Sequence, residues 1–335
     1  MSAPSAFDPP AHGVHPLASG WLDVGDGHRL WWSRHGTPGG RPAVVLHGGP
    51  GSGSSTRHLA FFDLTRWDVT LFDQRGCGRS EPPGCTEHNT LPHLVADVEA
   101  LRRHLGLPAW LLVGGSWGAT LALAYVACHR ASCLGVLLRG AFLGDAADLA
   151  WFLHGARALR PEAHADFTLG QPAHTLLAPY HAAFHHGTPD EAQAALHRWL
   201  NWEAALASPQ HAAPASVTPP PPDSAETAGL LVRARIQTHY LLHGCFLPPG
   251  GLLAQAQALS TVPCVVLHGR QDLVCRPVNG WAVHQAWPGS VMHWVDEAGH
   301  EPFHPAMQRA MQHQLACFAE HGRFAPADHA PGSTA

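Results

Sequence analysis

The sequence has few charged residues and no lysine. Asp, Glu, Lys and Arg make up only 13% of the 335 residues, and the total of 20 for Lys and Arg consists of arginine alone. The formal net charge of −5 argues against a nucleic acid or an anionic membrane as partner, because both attract basic proteins. No run approaches the roughly 20 apolar residues of a membrane-spanning helix. We therefore expect no nucleic-acid and no membrane partner.

Recognisable disulfide motifs are also missing. The eight cysteines include no C-x-x-C pair, and the 28 histidines include no H-x-H motif. In a chain of this length, such cysteines are typical of reduced thiols in a cytosolic protein. Residues 1–20 lack the basic and apolar regions of a signal peptide. We expect a cytoplasmic protein, and the composition leaves its oligomeric state open.

Alternating strand and helix patterns run through most of the sequence. Residues 21–34 predict a hairpin that turns at Asp26-Gly27, and residues 91–105 predict an amphipathic helix. Strands that alternate with helices indicate an α/β fold with a mostly parallel sheet flanked by helices. Short apolar runs that predict buried strands lie at 42–46, 67–72, 110–113, 134–138, 264–267 and 290–295.

The pattern changes in the middle of the chain, where helical segments dominate. The proline-rich residues 216–223 interrupt this stretch and predict a stiff, extended connector. An all-helical insert between two α/β halves is typical of a cap over the carboxyl ends of the strands. The predicted divisions are a flexible N-terminal arm at 1–18, the first part of the core at 19–144, the helical cap at 145–258, the second part of the core at 259–322 and a flexible C-terminal tail at 323–335.

One motif lies between a predicted strand and a predicted helix. Residues 114–118, Gly-Gly-Ser-Trp-Gly, fit G-x-S-x-G, and the helix-forming segment 119–128 follows them. This context is that of a nucleophile elbow, in which glycines permit a strained turn that exposes the serine hydroxyl. The alternative is a serine that only caps a helix in a glycine-rich turn. The motif favours an α/β-hydrolase fold with Ser116 as nucleophile.

A serine nucleophile needs a base, and that base needs an acid to orient it. In α/β-hydrolases these residues follow the serine in the order Asp or Glu, then His. Asp272 comes shortly after a late strand, and His300 lies in a loop before the last helix, so both occur in this order. Asp296 and Glu297 are competing acids, but they lie too near His300 to orient it from the far side. We predict a triad of Ser116, Asp272 and His300.

A serine hydrolase also needs donors for the oxyanion of its tetrahedral intermediate. One donor should be the backbone N–H of Trp117, the residue after the nucleophile. The other should come from the glycine-rich turn 47–51 that follows a buried strand, where Gly49 is the candidate. Neither this oxyanion hole nor the triad requires a metal or an organic cofactor, and we expect none.

With these residues identified, the sequence resembles the prolyl aminopeptidases (proline iminopeptidases), serine peptidases of the α/β-hydrolase fold. The resemblance spans roughly residues 20–320, and the motifs within the cap are the most specific to this family. It implies that peptides with an N-terminal proline are the substrates and that proline is released through an acyl-enzyme. The matching segments are 47–51, 73–80, 114–123, 138–140, 199–203, 234–236, 239–240, 268–272 and 299–300.

The resemblance also implies how the substrate's amine is recognised. Two glutamates in the family's cap bind the secondary ammonium, and Glu203 matches the one in the W-x-x-W-E motif. The other position, within A-R-I-E, holds Gln237, whose oxygen accepts a hydrogen bond but brings no charge. Charge-assisted hydrogen bonds are roughly twice as strong as neutral ones. By the same resemblance, Arg139 is expected to pair with Glu203, and it is also a candidate for the proline pocket. Further candidates for the walls of that pocket are Phe142, Trp151, Phe246 and Cys275, and core packing is the alternative for each of these four.

Two other functions stay open at this point. If the amine site is lost with the change to Gln237, the same triad would serve an esterase or amidase that acts on small acyl groups. A non-catalytic binding protein with a hydrolase fold is the other alternative. It is disfavoured because such proteins usually lack a member of the triad.

Overall fold

The structure is a computed structural model that describes residues 15–208, 217–218 and 220–326. Most of the predicted N-terminal arm and the last nine residues of the predicted C-terminal tail lie outside these ranges. Two residues of the predicted proline-rich connector, 216 and 219, also lie outside them.

An eight-stranded sheet forms the centre of the fold, in the order β1-β2-β4-β3-β5-β6-β7-β8. The pairs β1–β2 and β2–β4 are antiparallel, and all other neighbouring strands are parallel. The prediction of a mostly parallel α/β sheet is therefore confirmed. The strands are β1 Ala18–Asp23, β2 Arg29–Gly36, β3 Arg41–Leu46, β4 Trp67–Phe72, β5 Trp110–Ser116, β6 Cys133–Ala141, β7 Cys264–Gly269 and β8 Val291–Val295.

Helices cover both faces of the sheet. On β5, Trp110 and Leu112 pack in one hydrophobic cluster with α1, α2 and α8, whereas Leu111 and Val113 pack in another with α9. This alternation is what a strand buried on both faces requires. The helices are α1 Leu91–His104, α2 Trp117–Cys128, α3 Ala146–Leu153, α4 Pro161–Thr168, α5 Ala173–His186, α6 Pro189–Ala207, α7 Ala225–Leu242, α8 Pro277–Ala286 and α9 Pro305–His321.

The helices α3 to α7 lie in the chain between β6 and β7, and the described residues of this stretch contain no strand. A capping box of Thr188 and Glu191 begins α6. Aromatic side chains then fix this helix within the stretch: Trp199 lies 5.7 Å from Phe167 of α4 and 5.1 Å from Tyr180 of α5, measured between ring centroids. Packing of this kind holds α6 at one position against its neighbours. One hydrophobic cluster contains residues of this stretch and of the sheet.

Two predicted boundaries, the end of the N-terminal arm and the start of the C-terminal tail, differ from those in the structure. β1 already begins at Ala18, and the N–H of Leu17 donates to the carbonyl of Arg34 at 2.7 Å, so the predicted arm cannot extend to residue 18. At the other end, Phe324 is buried and its ring lies 4.7 Å from that of Phe318. The predicted tail therefore does not begin at residue 323. None of the helices in the described ranges combines the length and apolar character needed to cross a bilayer.

Candidate active site

Ser116 lies at the turn between the end of β5 and the start of α2. Its backbone has φ 57° and ψ −125°, a conformation that side-chain-bearing residues rarely adopt. A Cβ atom on Gly114 would overlap the carbonyl of Gly118, and one on Gly118 would overlap the carbonyl of Leu46. The two glycines therefore allow α2 to start directly against β3 and β5, which holds the serine in its strained turn.

Ser116 opens into a cavity of about 800 Å³ whose lining comes from both the sheet and the helices α3, α6 and α7. Several of the predicted site residues meet there. The ones that line this cavity are Gly49, Ser116, Arg139, Phe142, Glu203, Gln237, Cys275 and His300.

Asp272 is buried beside this cavity and binds His300. One carboxylate oxygen accepts from His300 Nδ1 at 2.8 Å, and the other accepts from the N–H groups of Val274 and Cys275 at 2.9 and 2.8 Å. Burial opposes ionisation of Asp272, but the charge and hydrogen bond of His300 outweigh it and lower the pKa of the carboxyl. An ionised acceptor requires Nδ1 of His300 to carry a proton. In the neutral form of the imidazole this puts the lone pair on Nε2, which is the atom that can act as a base.

No hydrogen bond joins Ser116 to His300 in the described part of the chain, although both line the cavity. The serine Oγ instead lies 3.8 Å from the Sγ atom of Cys275. Catalytic hydrogen bonds are often long before substrate binds and tighten in the complex. The structure thus brings the three predicted triad residues together and joins two of them directly.

Arg139 contacts the His300 loop, not Glu203. Its Nη1 donates to the backbone carbonyl of His300 at 2.7 Å. Its guanidinium also packs closely against Gly115, where an added Cβ would lie only 2.9 Å from Nε of Arg139. Burial lowers the pKa of Arg139, which the nearby charge of Asp272 partly offsets. The expectation that Arg139 pairs with Glu203 was wrong, because this guanidinium is held at the histidine end of the cavity.

The glycine-rich turn after β3 runs beside the nucleophile. A Cβ on Gly48 would lie 3.4 Å from the Cβ of Ser116, and Gly49 has φ +120°, which favours glycine. Gln74 connects this turn to α2: its side-chain N–H donates to the carbonyl of His47 at 2.9 Å, and its Oε1 accepts from the indole of Trp117 at 2.9 Å. Sequence reasoning missed this role of Gln74, although it noted the segment that contains it.

The cap end of the cavity contains Glu203 and Gln237, together with Arg233, which sequence reasoning missed. Gln237 donates from Nε2 to Glu203 Oε1 at 2.7 Å, and Arg233 Nη2 lies 2.8 Å from Glu203 Oε2. The Oε1 atom of Gln237 accepts from the indole of Trp199 at 3.1 Å. Gln237 therefore offers its amide N–H, not its oxygen, to this end of the site. The spacing of four residues from Arg233 to Gln237 on a helix was the available signal.

Two predicted pocket residues lie outside the lining of the cavity. The indole of Trp151 donates to the carbonyl of Leu273 at 2.7 Å, and the Phe246 ring stacks on His243 with centroids 5.2 Å apart. The prediction was wrong for both. Phe152, the next residue on α3, lines the cavity in their place.

One group of side chains in the described ranges has ligand atoms close enough to hold a metal ion. Asp26, His88 and His93 place one such atom each within 4.8 Å of one another. None of the three lines the cavity that contains Ser116.

Comparisons with known proteins agree with this architecture. A model of the alpha/beta hydrolase fold matches residues 42–306. Among solved structures, the chain is similar to an esterase from Exiguobacterium antarcticum (TM-score 0.56, 18% identity, 90% of this chain and 98% of that one). It is also similar to a bromoperoxidase from Bacillus anthracis (TM-score 0.61, 18% identity, 90% and 98%). At such identities the likeness shows the fold alone.

Curated relatives are closer in sequence. The chain is 40% identical over 298 residues to a proline iminopeptidase of Xanthomonas citri, covering 87% of this chain and 93% of that protein. It is 36% identical over 304 residues to a proline iminopeptidase of Arabidopsis thaliana, covering 88% and 78%. The resemblance seen in the sequence motifs is thereby confirmed. The chain belongs to the proline iminopeptidase family of α/β-hydrolases.

Proposed function

We propose that this protein is a serine aminopeptidase that releases N-terminal proline from peptides through an acyl-enzyme. The observation that carries the proposal is that Ser116, His300 and Glu203 line one cavity. A nucleophile and its base thus share a chamber with a carboxylate suited to an amine. The names of the relatives support this substrate class.

In the first half of the reaction, Oγ of Ser116 attacks the prolyl carbonyl while Nε2 of His300 takes the hydroxyl proton. The peptide C–N bond then breaks, and His300 gives this proton to the leaving amine. Asp272 keeps the imidazole in the required tautomer and stabilises its charged form. The hydrogen bond of 2.8 Å between Asp272 and His300 supports this assignment.

The negative charge that develops on the carbonyl oxygen needs donors placed in advance. We assign the backbone N–H groups of Trp117 and Gly49 to this role. The position of the loop next to Ser116 and the bonds of Gln74 to both segments support it. Removing one such donor typically lowers turnover by about 10²–10³.

In the second half, His300 takes a proton from water, whose oxygen attacks the prolyl ester on Ser116. The ester C–O bond breaks, Oγ takes back the proton, and proline leaves. Glu203 serves as the anchor for the ammonium of proline. The helices α3, α6 and α7 supply the wall at the Glu203 end of the cavity, and we assign to this wall the restriction of cleavage to one residue.

Two further parts of the assignment concern the protein's surroundings. We propose a cytoplasmic location, which the eight free cysteines support. The partners in the reaction are short peptides with an N-terminal proline.

The test is to identify the first products from a matched pair of tripeptides, Pro-Gly-Phe and Gly-Pro-Phe, by mass spectrometry. The proposal predicts free proline from the first and no cleavage of the second. The Ser116→Ala variant is the control and should release nothing. Equal cleavage of both peptides, or release by the variant, would contradict the assignment.

One observation favours a second candidate, an esterase or amidase that acts on small acyl groups. Both carboxylate oxygens of Glu203 are already occupied by side-chain donors. If this occupancy excludes the ammonium, 4-nitrophenyl acetate should be turned over with a higher kcat/KM than a prolyl arylamide.

A further inference from the structure

Three side chains at the cap end of the cavity form one hydrogen-bonded unit, which we call the amine cluster: Glu203, Arg233 and Gln237. Arg233 donates a hydrogen bond to one carboxylate oxygen of Glu203 at 2.8 Å, and the amide N–H of Gln237 donates to the other at 2.7 Å. All three side chains line the cavity. The carboxylate that would anchor a substrate's ammonium is therefore already bound on both oxygens.

The helices fix this arrangement. Arg233 and Gln237 are four residues apart on α7 and so share one face of that helix. Trp199 lies four residues before Glu203 on α6, and its fully buried indole donates to the Oε1 atom of Gln237. An indole N–H is a donor only, so the amide oxygen must point towards Trp199 and the amide N–H₂ towards Glu203. Gln237 is thereby held as a donor to the carboxylate.

The charges of the amine cluster cancel. It contains one carboxylate and one guanidinium, which are 19% and 31% exposed, so water screens their interaction only in part. Two other buried carboxylates of the cavity also pair with arginines, Asp73 with Arg79 and Asp148 with Arg276. The ammonium of a substrate that approaches Glu203 therefore meets the guanidinium of Arg233, which already occupies that carboxylate.

We propose that Arg233 is a specificity-determining residue that competes with the substrate's ammonium for Glu203. The inference rests on the proposed aminopeptidase function. Binding of an N-terminal proline then requires the guanidinium to leave Oε2 of Glu203, which weakens recognition of the amine. The triad and the oxyanion donors are unaffected. The competition raises KM for prolyl substrates and leaves the rate of the chemical step unchanged.

The experiment compares two substrates in the wild type and in Arg233→Met. One is a prolyl arylamide, and the other is the cyclopentanecarbonyl arylamide, which has a ring of the same size and no amine. In the variant, KM for the prolyl substrate should fall about tenfold, the factor that 1.4 kcal/mol of binding free energy provides. Its kcat, and the kcat/KM of the amine-free substrate, should stay at the wild-type values.

Arg235→Met is the matched control, because Arg235 lies on the same helix but donates to the carbonyl of Phe184 and does not line the cavity. This control should leave the ratio of the two kcat/KM values unchanged. Arg233→Gln, a second neutral replacement, should reproduce the lower KM. Arg233→Lys retains the charge and should keep KM near that of the wild type.

An unchanged or raised KM for the prolyl substrate in both neutral variants would overturn the role of Arg233. The same holds if both substrates change by the same factor, because amine recognition would then not be what changed. Failure of the aminopeptidase assignment itself gives a different result. In that case the wild type would not prefer the prolyl substrate over its N-acetylated form.

Discussion

Replacing Gln237 by glutamate tests whether a second negative charge at the cap end of the cavity strengthens binding of the substrate's ammonium. The two side chains have nearly the same shape, so the new carboxylate should take the position of the amide. One of its oxygens would keep the hydrogen bond from Trp199, now 3.1 Å long. The other would lie where Nε2 is now, 2.7 Å from Oε1 of Glu203.

The magnitude follows from this distance. Two negative charges 2.7 Å apart repel by about 6 kcal/mol at an effective dielectric constant of about 20. Such a pair binds either a proton or another cation between its oxygens. The ammonium of a substrate is one such cation, and the ion pair of Arg233 with Glu203 relieves only part of the repulsion. We therefore expect Gln237→Glu to lower KM for prolyl substrates by at least about tenfold.

The assay measures KM and kcat for a prolyl arylamide at several pH values on both sides of neutrality. The decrease in KM should be largest where the new carboxyl pair has lost its shared proton and the substrate is still charged. Gln285→Glu, the same change at an exposed position of α8, is the control and should leave KM unaltered. An unchanged or raised KM of the Gln237→Glu variant at every pH would show that a second carboxylate does not attract the substrate's ammonium.

Three further predictions concern the triad, the elbow and the stability of the fold. Asp272→Asn should lower kcat per folded molecule by about 10⁴, because it removes the acceptor that fixes the tautomer of His300. Equal losses of kcat and of folded protein would contradict this. Gly118→Ala should lower the free energy of unfolding by about 3 kcal/mol or more in urea titrations, since its Cβ overlaps the carbonyl of Leu46; a stable variant would refute the close packing. A hydrogen bond from Arg102, with others from Arg103 and Tyr125, outweighs burial and lowers the pKa of Glu99 from 4.5 to about 2. Its ionisation thus stabilises the fold above about pH 4.5, and this effect is lost as the pH falls towards about 2. Glu99→Gln should lower the free energy of unfolding by about 1–3 kcal/mol at neutral pH and by less near pH 3, and a constant loss would argue against the pair.

The sheet and the elbow were predictable because their signals are local. The apolar runs that became β3 to β8 reflect burial on both faces of a parallel sheet, and each run is only a few residues long. The glycines around Ser116 are required by contacts with carbonyls of neighbouring segments. Because these requirements act on a few adjacent residues, they produce short motifs that can be recognised in the sequence.

The walls of the cavity were less predictable because they depend on how each helix is rotated. Trp151 and Phe152 are adjacent on α3, and only the second lines the cavity. A rotation of 100° per residue separates their directions, and no pattern in the short helix determines it.

The partners of charged side chains were the least predictable. Arg139 binds the carbonyl of His300, and Glu203 binds Arg233. Both choices depend on contacts between segments far apart in the chain. The orientation of Gln237 likewise depends on Trp199 across two helices. The sequence predicts Arg139, Glu203 and Gln237 near the site, but it does not reveal Arg233 or what each of these side chains binds.

The most direct test of the central claim is a comparison of kcat/KM for a prolyl arylamide and its N-acetylated form. Acetylation removes the ammonium and adds bulk at the Glu203 end of the cavity. A site built to bind an amine rejects an analogue without it, so we expect kcat/KM of the blocked substrate to be lower by at least about 10². Equal kcat/KM values for the two substrates would contradict it.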